Sequence, residues 1–401
     1  MRRALAVGVA IVLGLVAGVL GTLAMRAPAP QPAGPVVPLP AAISTGIEDP
    51  TTFLAWIPRG VPEGFARDVR ALPETGRVTV VSEEIVWLTR SWSSAGELVD
   101  RPPTPFRIPI DAAAVDPKRF APFLPLPDRT VMAAVANGQG ILGATSAGLR
   151  GLGPGAVLEV AGERIRIAAV LPDELVGAAE LVVSLPMGRR IGIRNDRYLL
   201  IQTAEDQALT ADRLKGFLRP LLPVTLGVNR AIQVRAPGDT PFFRAGDSVL
   251  PPVLVKALFG EFSARPRPGS PGELIVEPAW ALDHMITTGL PLIGRVTCHR
   301  GIVDQLAASM RELEADGLGD LVRSYHGCFV PRFVGRDPAN MLSYHSWGIA
   351  FDLNLAGNFR GVEPSQDPRL VAALEDAGFL WGGIWVVPDG NHFEYRRTPE
   401  P

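Results

Sequence analysis

Two histidines and a carboxylate in the last sixty residues of the 401-residue chain are of the types that bind zinc. His345 lies in the stretch Ser-Tyr-His-Ser-Trp-Gly-Ile-Ala-Phe-Asp, which ends at Asp352, and His392 follows the turn Pro-Asp-Gly-Asn. Two imidazole nitrogens and one carboxylate oxygen leave the fourth position of a tetrahedral zinc ion for water, which is typical of catalytic sites. Zinc lowers the pKa of such a water towards about 7 and polarises a carbonyl group. The three residues are therefore candidates for a hydrolytic Zn²⁺ centre, and the alternative for His345 and Asp352 taken separately is a surface loop and a strand-end cap.

Amide hydrolysis at such a centre also needs a carboxylate that takes the proton of water and passes it to the leaving amine. Asp389 lies three residues before His392, in the Pro-Asp-Gly-Asn turn, and is well placed for this task. Glu394 is an alternative, because alternation along a strand would put it on the same face as His392.

The composition excludes several other classes of protein. Lysine and arginine number 39 and aspartate and glutamate 41, so the net charge of −2 argues against nucleic-acid binding through a basic face. Only two cysteines are present, which excludes a four-cysteine zinc finger and an iron–sulfur cluster held by cysteines alone. A metal in this chain must be held mainly by the five histidines and by carboxylates.

Residues 1–26 are predicted to anchor the chain in a membrane. The uncharged run of 22 residues from Ala4 to Met25 would form about 33 Å of helix, enough for a hydrocarbon layer of about 30 Å. Arg2 and Arg3 are expected to remain cytoplasmic, which would place the bulk of a single-pass cell-membrane protein outside the cytoplasm. A cleaved secretory signal is the alternative. Residues 27–45 are proline-rich and are predicted to be a semi-rigid linker.

The exported part is predicted to contain two regions. Residues 46–250 combine β-branched runs with glycine turns, which favours a β-rich extracytoplasmic region. Within it, residues 138–185 weakly resemble the extracytoplasmic domains of bacterial ABC-type permeases, which implies a spacer or a contact with another envelope protein. A second proline-rich stretch, 263–273, predicts a boundary before a carboxyl-terminal domain at 275–401.

Helices and strands alternate irregularly in the carboxyl-terminal domain, which favours the α+β class. Asp367 as a cap and Pro368 at the first position predict the start of one helix, and Gly378 its end. The predicted helices are Ala211–Leu221 in the preceding region and Glu277–Thr287, Gly301–Ala315 and Asp367–Ala377 in this domain, and the predicted strands are Leu321–Tyr325, Ile349–Leu355 and His392–Tyr395.

The stretch from Ser343 to Asp352 resembles the Ser-x-His-x-x-Gly-x-Ala-x-Asp signature of the zinc D-alanyl-D-alanine carboxypeptidase family. Trp-Gly-Gly-Ile-Trp followed by Asp-Gly-Asn-His-Phe-Glu resembles the second signature of that family, which includes L-alanyl-D-glutamate endopeptidases. The resemblance covers residues 290–397 and implies a small mixed domain of the DD-peptidase/Hedgehog type. By this match His345, Asp352 and His392 would bind zinc, and Asp389 would be the general base and acid.

The same resemblance implies roles for two residues upstream of His345. Arg332 would hold the substrate and stabilise charge at the scissile carbonyl, which suits a guanidinium fork. Ser343 would form hydrogen bonds within the site. The expected substrate is a peptidoglycan stem peptide, cut at a D-Ala-D-Ala or an L-Ala-D-Glu bond. Ile384 stands where endopeptidase relatives often have an acidic residue, so the subgroup stays open.

Cys298 and Cys328 are predicted to form a disulfide, because both lie in the part expected outside the membrane. A zinc site made of both cysteines with His299 and His326 is the alternative, and His284 is expected to be a packing residue.

At the level of function, the alternative to a peptidase is a non-catalytic cell-envelope module that retains a zinc site. A permease-associated component is a third hypothesis, although a single membrane span cannot form a transporter.

Overall fold

The computed structural model describes residues 52–58, 60–204, 209–222, 232–239, 242, 244–248 and 250–398. The predicted anchor at 1–26 and the predicted linker at 27–45 lie outside these residues. The chain divides into the units Met1–Leu39 and Pro40–Pro401, and every described residue belongs to the second. Among the described residues, no helix combines the length and the apolar character that a membrane crossing requires.

A nine-stranded sheet lies within residues 46–250, where the sequence predicts a β-rich region. Its strands are β1 (Thr52–Trp56), β2 (Thr75–Trp92), β3 (Ile108–Val115), β4 (Gly140–Gly143), β5 (Val157–Val160), β6 (Glu163–Leu171), β7 (Leu181–Ser184), β8 (Asp196–Thr203) and β9 (Gln233–Arg235). The strand order is β3-β7-β4-β6-β5-β2-β8-β1-β9, and the additional pairing of β2 with β3 closes six of the strands into a ring. Only β3 with β7 and β4 with β6 are parallel pairs in this sheet.

Alternation of apolar and polar residues forms these strands. In β6, Ile165 and Ile167 are buried while Arg164 and Arg166 are exposed, as expected of a strand with one face on a core. The helices that pack around the sheet are α1 (Phe65–Arg70), α2 (Pro117–Phe120), α3 (Val131–Ala136), α4 (Ala144–Arg150), α5 (Leu185–Ile191) and α6 (Ala211–Leu218). The predicted helix at 211–221 is confirmed, with a 3-10 turn over Arg219–Leu221 as its end.

Three small antiparallel sheets and four helices form the rest of the described chain. The helices are α7 (Pro252–Phe259), α8 (Pro278–His284), α9 (Arg300–Ala315) and α10 (Pro368–Asp376), and the strands are β10 (Ala264–Arg267), β11 (Ser270–Val276), β12 (Met285–Leu290), β13 (Gly294–His299), β14 (Ala350–Asp352), β15 (Phe379–Trp381) and β16 (His392–Tyr395). Strand β10 pairs with β11, β12 pairs with β13, and β16 lies between β14 and β15. The described chain is thus a mixed α and β structure.

In the carboxyl-terminal domain three predicted elements are confirmed and three differ. Helix α10 begins at the predicted Asp367 cap and ends before Gly378. Helix α9 and strand β16 lie where the sequence predicts them. The helix predicted over Glu277–Thr287 ends at His284, because the residues from Met285 onwards pair with β13. The strand predicted over Leu321–Tyr325 is wrong, since only Tyr325 forms an isolated bridge. The strand predicted over Ile349–Leu355 shortens to β14.

Asn354 explains the early end of β14. Its φ of 54° lies in the left-handed region, which a continuing strand cannot contain. Its side chain offsets this cost: Oδ1 accepts the backbone N–H groups of Arg323 and Ser324 at 2.7 and 3.2 Å. Nδ2 donates to the carbonyl oxygen of Leu321 at 2.8 Å. The asparagine therefore turns the chain and organises the loop that was expected to be a strand.

One apolar core reaches from Leu250 through the carboxyl-terminal part. It joins Phe262 before the first small sheet to Leu306 of α9 and to the fully buried Trp347 and Phe351. The core around the predicted zinc ligands is thus built partly by side chains that precede residue 275.

A buried ionic cluster joins the large sheet to α7. Lys256 Nζ donates to Glu180 at 2.7 Å, to Glu261 at 2.9 Å and to the carbonyl oxygen of Pro109 at 2.6 Å. Arg150 donates to Glu180 at 3.2 Å and also to Glu261. The side chains of Lys256, Glu180 and Arg150 are each 1% exposed. Each charge in this cluster depends on its partners, because a buried charge without a partner is costly.

Substitution Glu180→Gln should therefore lower the free energy of unfolding by about 3–5 kcal/mol, because it leaves Lys256 and Arg150 without a full counter-charge. The matched control is Glu163→Gln in the exposed pair with Arg190, where the expected loss is below about 1 kcal/mol. Urea denaturation of both variants measures the difference. Equal losses would contradict the role given to the cluster.

Candidate metal centre

Three donor atoms converge in the carboxyl-terminal part. His345 Nε2 lies 3.1 Å from Asp352 Oδ1 and 3.2 Å from His392 Nδ1, and the remaining distance, from His392 Nδ1 to Asp352 Oδ1, is 3.2 Å. All three residues are buried. Within the described ranges they are the one group of three or more histidine, cysteine and acidic side chains that could hold a metal ion.

The triangle fits a tetrahedral zinc ion. With bonds of about 2.0–2.1 Å, two ligand atoms of such an ion lie about 3.3 Å apart, close to the three observed distances. Two imidazole nitrogens and a carboxylate oxygen are also the donor set that zinc accepts in catalytic sites. The residues present therefore fit the ion that the sequence predicts.

Antiparallel pairing of β14 with β16 brings two of the three donors together. Asp352 lies directly opposite His392 in the register, so their side chains share one face of the small sheet. Phe351 and Phe393, one position further along each strand, form the next pair, and their rings stack at 5.7 Å. Phe351 and Phe393 are fully buried in the core, so the packing of this pair fixes the register that aligns the donors.

A hydrogen bond fixes the orientation of His345. Its Nδ1 lies 2.9 Å from the carbonyl oxygen of Cys328, to which only a protonated nitrogen can donate. Nε2 therefore carries the lone pair that faces the other donors. Cys328 is disulfide-bonded to Cys298, so the predicted disulfide is confirmed and holds the segment that orients His345.

The other two donors are oriented by charged side chains. His392 Nε2 lies 3.2 Å from Glu394 Oε2, and this bond leaves the lone pair of His392 on Nδ1. Arg332 Nη2 donates to Asp352 Oδ2 at 3.4 Å, while Oδ1 faces the histidines. Glu394 is itself buried, 2% exposed, and lies on the side of His392 away from the donor triangle.

The electrostatics of the triangle favour a cation. Burial lowers the pKa of His345 below its ordinary value. Burial opposes ionisation of Asp352, yet its interactions with His345 and His392 hold the pKa of Asp352 well below its usual range. Burial also opposes the charged form of His392, but hydrogen bonds to Asp352 and Glu394 raise its pKa to about 9. A positive charge is thus retained between these groups even without a metal.

Gly382 is required for the turn beside the triangle. A Cβ atom there would lie 2.9 Å from the carbonyl oxygen of Asp389 and 3.3 Å from the Cβ atoms of Asp389 and His392. The close approach lets the Gly382 carbonyl accept the N–H of Asp389 at 2.9 Å, and His392 N–H then donates to the Asp389 carbonyl at 3.0 Å. These bonds place Asp389 beside the strand that carries His392.

Asp389 is the acidic residue of this turn. Its Oδ2 accepts from Arg360 Nη1 at 3.4 Å, and its side chain is 17% exposed. Burial raises the pKa of Asp389, while the charges of His392 and Arg360 act in the opposite direction. A carboxylate with these surroundings can bind a proton more readily than a solvated one.

Ser343 and Ser346 differ in their contacts. Among the described residues Ser343 is hydrogen-bonded through its backbone, with its N–H donating to the Arg332 carbonyl at 3.0 Å. The Ser346 hydroxyl, in a residue not predicted to belong to the site, accepts the Arg332 N–H at 3.0 Å and donates to the Arg332 carbonyl at 2.9 Å. Ser346 therefore positions the backbone of Arg332. Its position directly after His345 is the sequence feature that could have identified it as part of the site.

The remaining histidines lie outside the triangle. His299 accepts the Gly301 N–H at 2.9 Å and so begins α9, and burial lowers its pKa to about 4. His284 stacks on Trp280, with ring centroids 4.3 Å apart, as expected of a packing residue. His326 is exposed. The zinc site suggested as an alternative for Cys298 and its neighbours is not assembled, because the cysteines are bonded to each other.

A family model described as D-alanyl-D-alanine carboxypeptidase matches residues 336–395. The matched segment contains the three donors and Asp389. The match supports a peptidoglycan-related peptidase of that family in the carboxyl-terminal region. No curated protein sequence matches the chain.

Two solved structures are similar to about half of the chain. One is the periplasmic region of MacB from Actinobacillus actinomycetemcomitans, with 12% identity and a TM-score of 0.32 over 47% of this chain and 90% of that one. The other is the extracellular domain of the noncanonic ABC-type transporter YknZ from Gram-positive bacteria, with 14% identity and a TM-score of 0.30 over 46% of this chain and 99% of that one.

Substitution of His345→Ala or His392→Ala should reduce bound zinc to background, because two remaining donors cannot hold the ion against dialysis. Elemental analysis by mass spectrometry after dialysis gives the zinc content per chain. His326→Ala is the matched control and should keep the wild-type content, since this imidazole is exposed and outside the triangle. Full zinc content in both histidine variants would refute the assignment of the donors.

Glu394→Gln should weaken zinc binding by roughly 10-fold or more, because a neutral amide orients and polarises His392 less than a carboxylate does. Competition with a chromophoric chelator measures the dissociation constant. Asp376→Asn, at the exposed end of α10, serves as the control and should bind zinc like the wild type. An unchanged affinity in Glu394→Gln would show that this bond to His392 is dispensable.

Proposed function

We propose that this chain is a zinc-dependent peptidase that hydrolyses an amide bond of peptidoglycan stem peptides, of the D-Ala-D-Ala carboxypeptidase or L-Ala-D-Glu endopeptidase type. The observation that carries the proposal is the triangle of His345, Asp352 and His392, which lies inside the segment matched by the D-alanyl-D-alanine carboxypeptidase model. Asp389 and Arg332 lie close enough to this triangle for electrostatic interaction with its members.

Zinc, when bound, supplies a Lewis acid and lowers the pKa of water towards about 7. His345, Asp352 and His392 would hold the ion, and three groups orient them: the Cys328 carbonyl, Arg332 and Glu394. Because each donor is already fixed by a hydrogen bond, little reorganisation is needed when the ion binds.

Asp389 would carry the proton from the attacking water to the leaving amine. Its raised pKa, caused first by burial, suits a group that must both accept and release a proton. Glu394 is less suited to this role, because its Oε2 accepts from His392 Nε2 and it lies behind that ligand. We therefore assign proton transfer to Asp389 and orientation of His392 to Glu394.

Arg332 would bind the substrate and stabilise the negative charge that develops on the scissile carbonyl oxygen. Its guanidinium lies at the triangle, with Nη2 donating to Asp352 and Nη1 donating to the Val330 carbonyl at 3.3 Å. Among the described residues these two bonds use two of its five N–H groups, and the other three would serve a substrate carboxylate or an oxyanion. Ser343, next to the Arg332 backbone, would contribute a further hydrogen bond to the substrate.

We also propose that the bulk of the chain lies outside the cytoplasm, attached to the cell membrane by the predicted helix at residues 1–26. The disulfide between Cys298 and Cys328 supports an oxidising compartment, and peptidoglycan is found there. In this proposal the large sheet separates the peptidase from the membrane and offers a surface to an envelope protein partner.

The test is digestion of purified peptidoglycan by the detergent-solubilised full chain with zinc, with the products read by mass. The wild type should release free alanine or shortened stem peptides, and the masses identify the bond. Asp389→Asn should keep its zinc and lose cleavage by roughly 10²–10⁴-fold, because the proton carrier is absent.

Glu394→Gln is the matched control for the second carboxylate. At saturating zinc it should retain more activity than Asp389→Asn; the reverse order would show that the proton carrier is misassigned. Sedimentation of the wild type with peptidoglycan without any released product would instead support the non-catalytic zinc module.

A further inference from the structure

A cleft of about 420 Å³ lies beside the proposed catalytic centre. Its lining includes Trp56 of β1, Arg235 of β9 and Asp247, together with Ile384 and Trp385 of the loop before His392. Its walls therefore come from two regions of the chain, and three of these five residues lie far outside the segment matched by the family model.

Asp247 is the acidic group of this cleft. Its Oδ2 accepts the backbone N–H of Val386 at 3.3 Å, and among the described residues it forms no salt bridge. Burial raises the pKa of Asp247, and the bond from Val386 and the charges of Arg235 and Arg360 offset this only in part. A carboxylate that is desolvated and lacks an ion pair is stabilised by a cation that enters beside it.

Among the described residues Arg235 forms no salt bridge with Asp247, although its charge is one of those that lower the pKa of Asp247. Its Nη1 donates to the carbonyl oxygen of Arg244 at 2.8 Å, and its Nη2 donates to that of Gly246. The guanidinium thus holds the loop that carries Asp247. It also lies 5.9 Å from the ring centroid of Trp56, which shows that this indole already faces positive charge.

Trp385 connects the cleft to the metal centre. It lines the cleft, and its ring centroid lies 5.1 Å from that of His392. Asp247 is also within electrostatic range of Glu394, the partner of His392. An extended peptide advances about 3.3–3.6 Å per residue, and the 5.1 Å between the Trp385 and His392 rings corresponds to one or two such steps. A residue one or two positions from a bond cut at the triangle would therefore lie at the Trp385 wall of the cleft.

We propose that the cleft binds a side-chain ammonium group of the substrate peptide, with Asp247 as its counter-ion and the indole of Trp385 as part of its wall. The peptide class is one that carries a diamino acid with a free side-chain amine near the scissile bond. The carboxylate supplies a charge-assisted hydrogen bond, and the Trp385 indole adds an aromatic surface that can attract the cation. This inference rests on the proposed function, because it places the substrate at the donor triangle.

The test compares three synthetic peptides on the full chain with zinc. The first is L-Ala-γ-D-Glu-L-Lys-D-Ala-D-Ala, which contains both candidate bonds; the second carries Nε-acetyl-lysine and the third Nε-dimethyl-lysine. Cleavage gives kcat/KM and calorimetry gives Kd. The lysine and dimethyl-lysine peptides, which keep the charge, should exceed the acetylated peptide by roughly 10-fold or more, as expected for a charged hydrogen bond.

Asp247→Asn should reduce this preference to near onefold, since the amide keeps an acceptor for the Val386 N–H but has no charge. Asp239→Asn is the matched control in the same segment and should keep the wild-type preference, because its carboxylate caps the Ala236 N–H outside the cleft. The comparison of the three peptides on the wild type needs no variant, so it decides even if Asp247→Asn does not fold.

Equal kcat/KM and equal Kd for the charged and acetylated peptides would overturn the ammonium site. Failure to cleave any peptide would count against the proposed peptidase. In that case tighter binding of the charged peptides, lost in Asp247→Asn, would still support the cleft, and equal binding would refute it.

Discussion

Three atoms with lone pairs lie within 3.2 Å of one another in the interior of the carboxyl-terminal part, and they repel each other unless a positive charge lies among them. Much of the surrounding structure serves to hold them there. The β14–β16 register aligns Asp352 with His392, and the stacked Phe351 and Phe393 resist a slip of that register. Without a metal, the raised pKa of His392 supplies the positive charge by holding a proton. The site is therefore built for a cation before a cation is bound.

The hydrogen bonds behind the donors extend this constraint into the fold. His345 depends on the Cys328 carbonyl, and Cys328 is fixed to β13 through the disulfide with Cys298. His392 depends on Glu394, the next residue on the same face of its strand. A change in either partner would act on a bound metal through the direction of a lone pair and not through loss of a donor. The disulfide thus has a local function in addition to its effect on stability.

The region before residue 275 contributes to the site as well as to the fold. Tyr344, adjacent to His345, donates to the Leu250 carbonyl, and Asp247 accepts the N–H of Val386 in the loop before His392. The buried cluster around Lys256 and Glu180 fixes α7 to the large sheet, so this segment has a defined position. The peptidase-like part is accordingly supported by the preceding region. The cleft that we propose for an ammonium group exists because the two regions meet.

The sequence by itself determined the donor set, the disulfide and the elements with strong local signals. His345, Asp352 and His392 were predictable because zinc accepts these side-chain types and because the stretches around them resemble the signatures of a zinc peptidase family. Helix α10 was predictable from the Asp367 cap and Pro368. Local patterns could not show that Asn354 would end β14, that Glu394 would face away from the donor triangle, or that Asp247 would lie beside Trp385. Only the tertiary structure decided these features, because they depend on contacts between residues far apart in the chain, which propensity and periodicity do not encode.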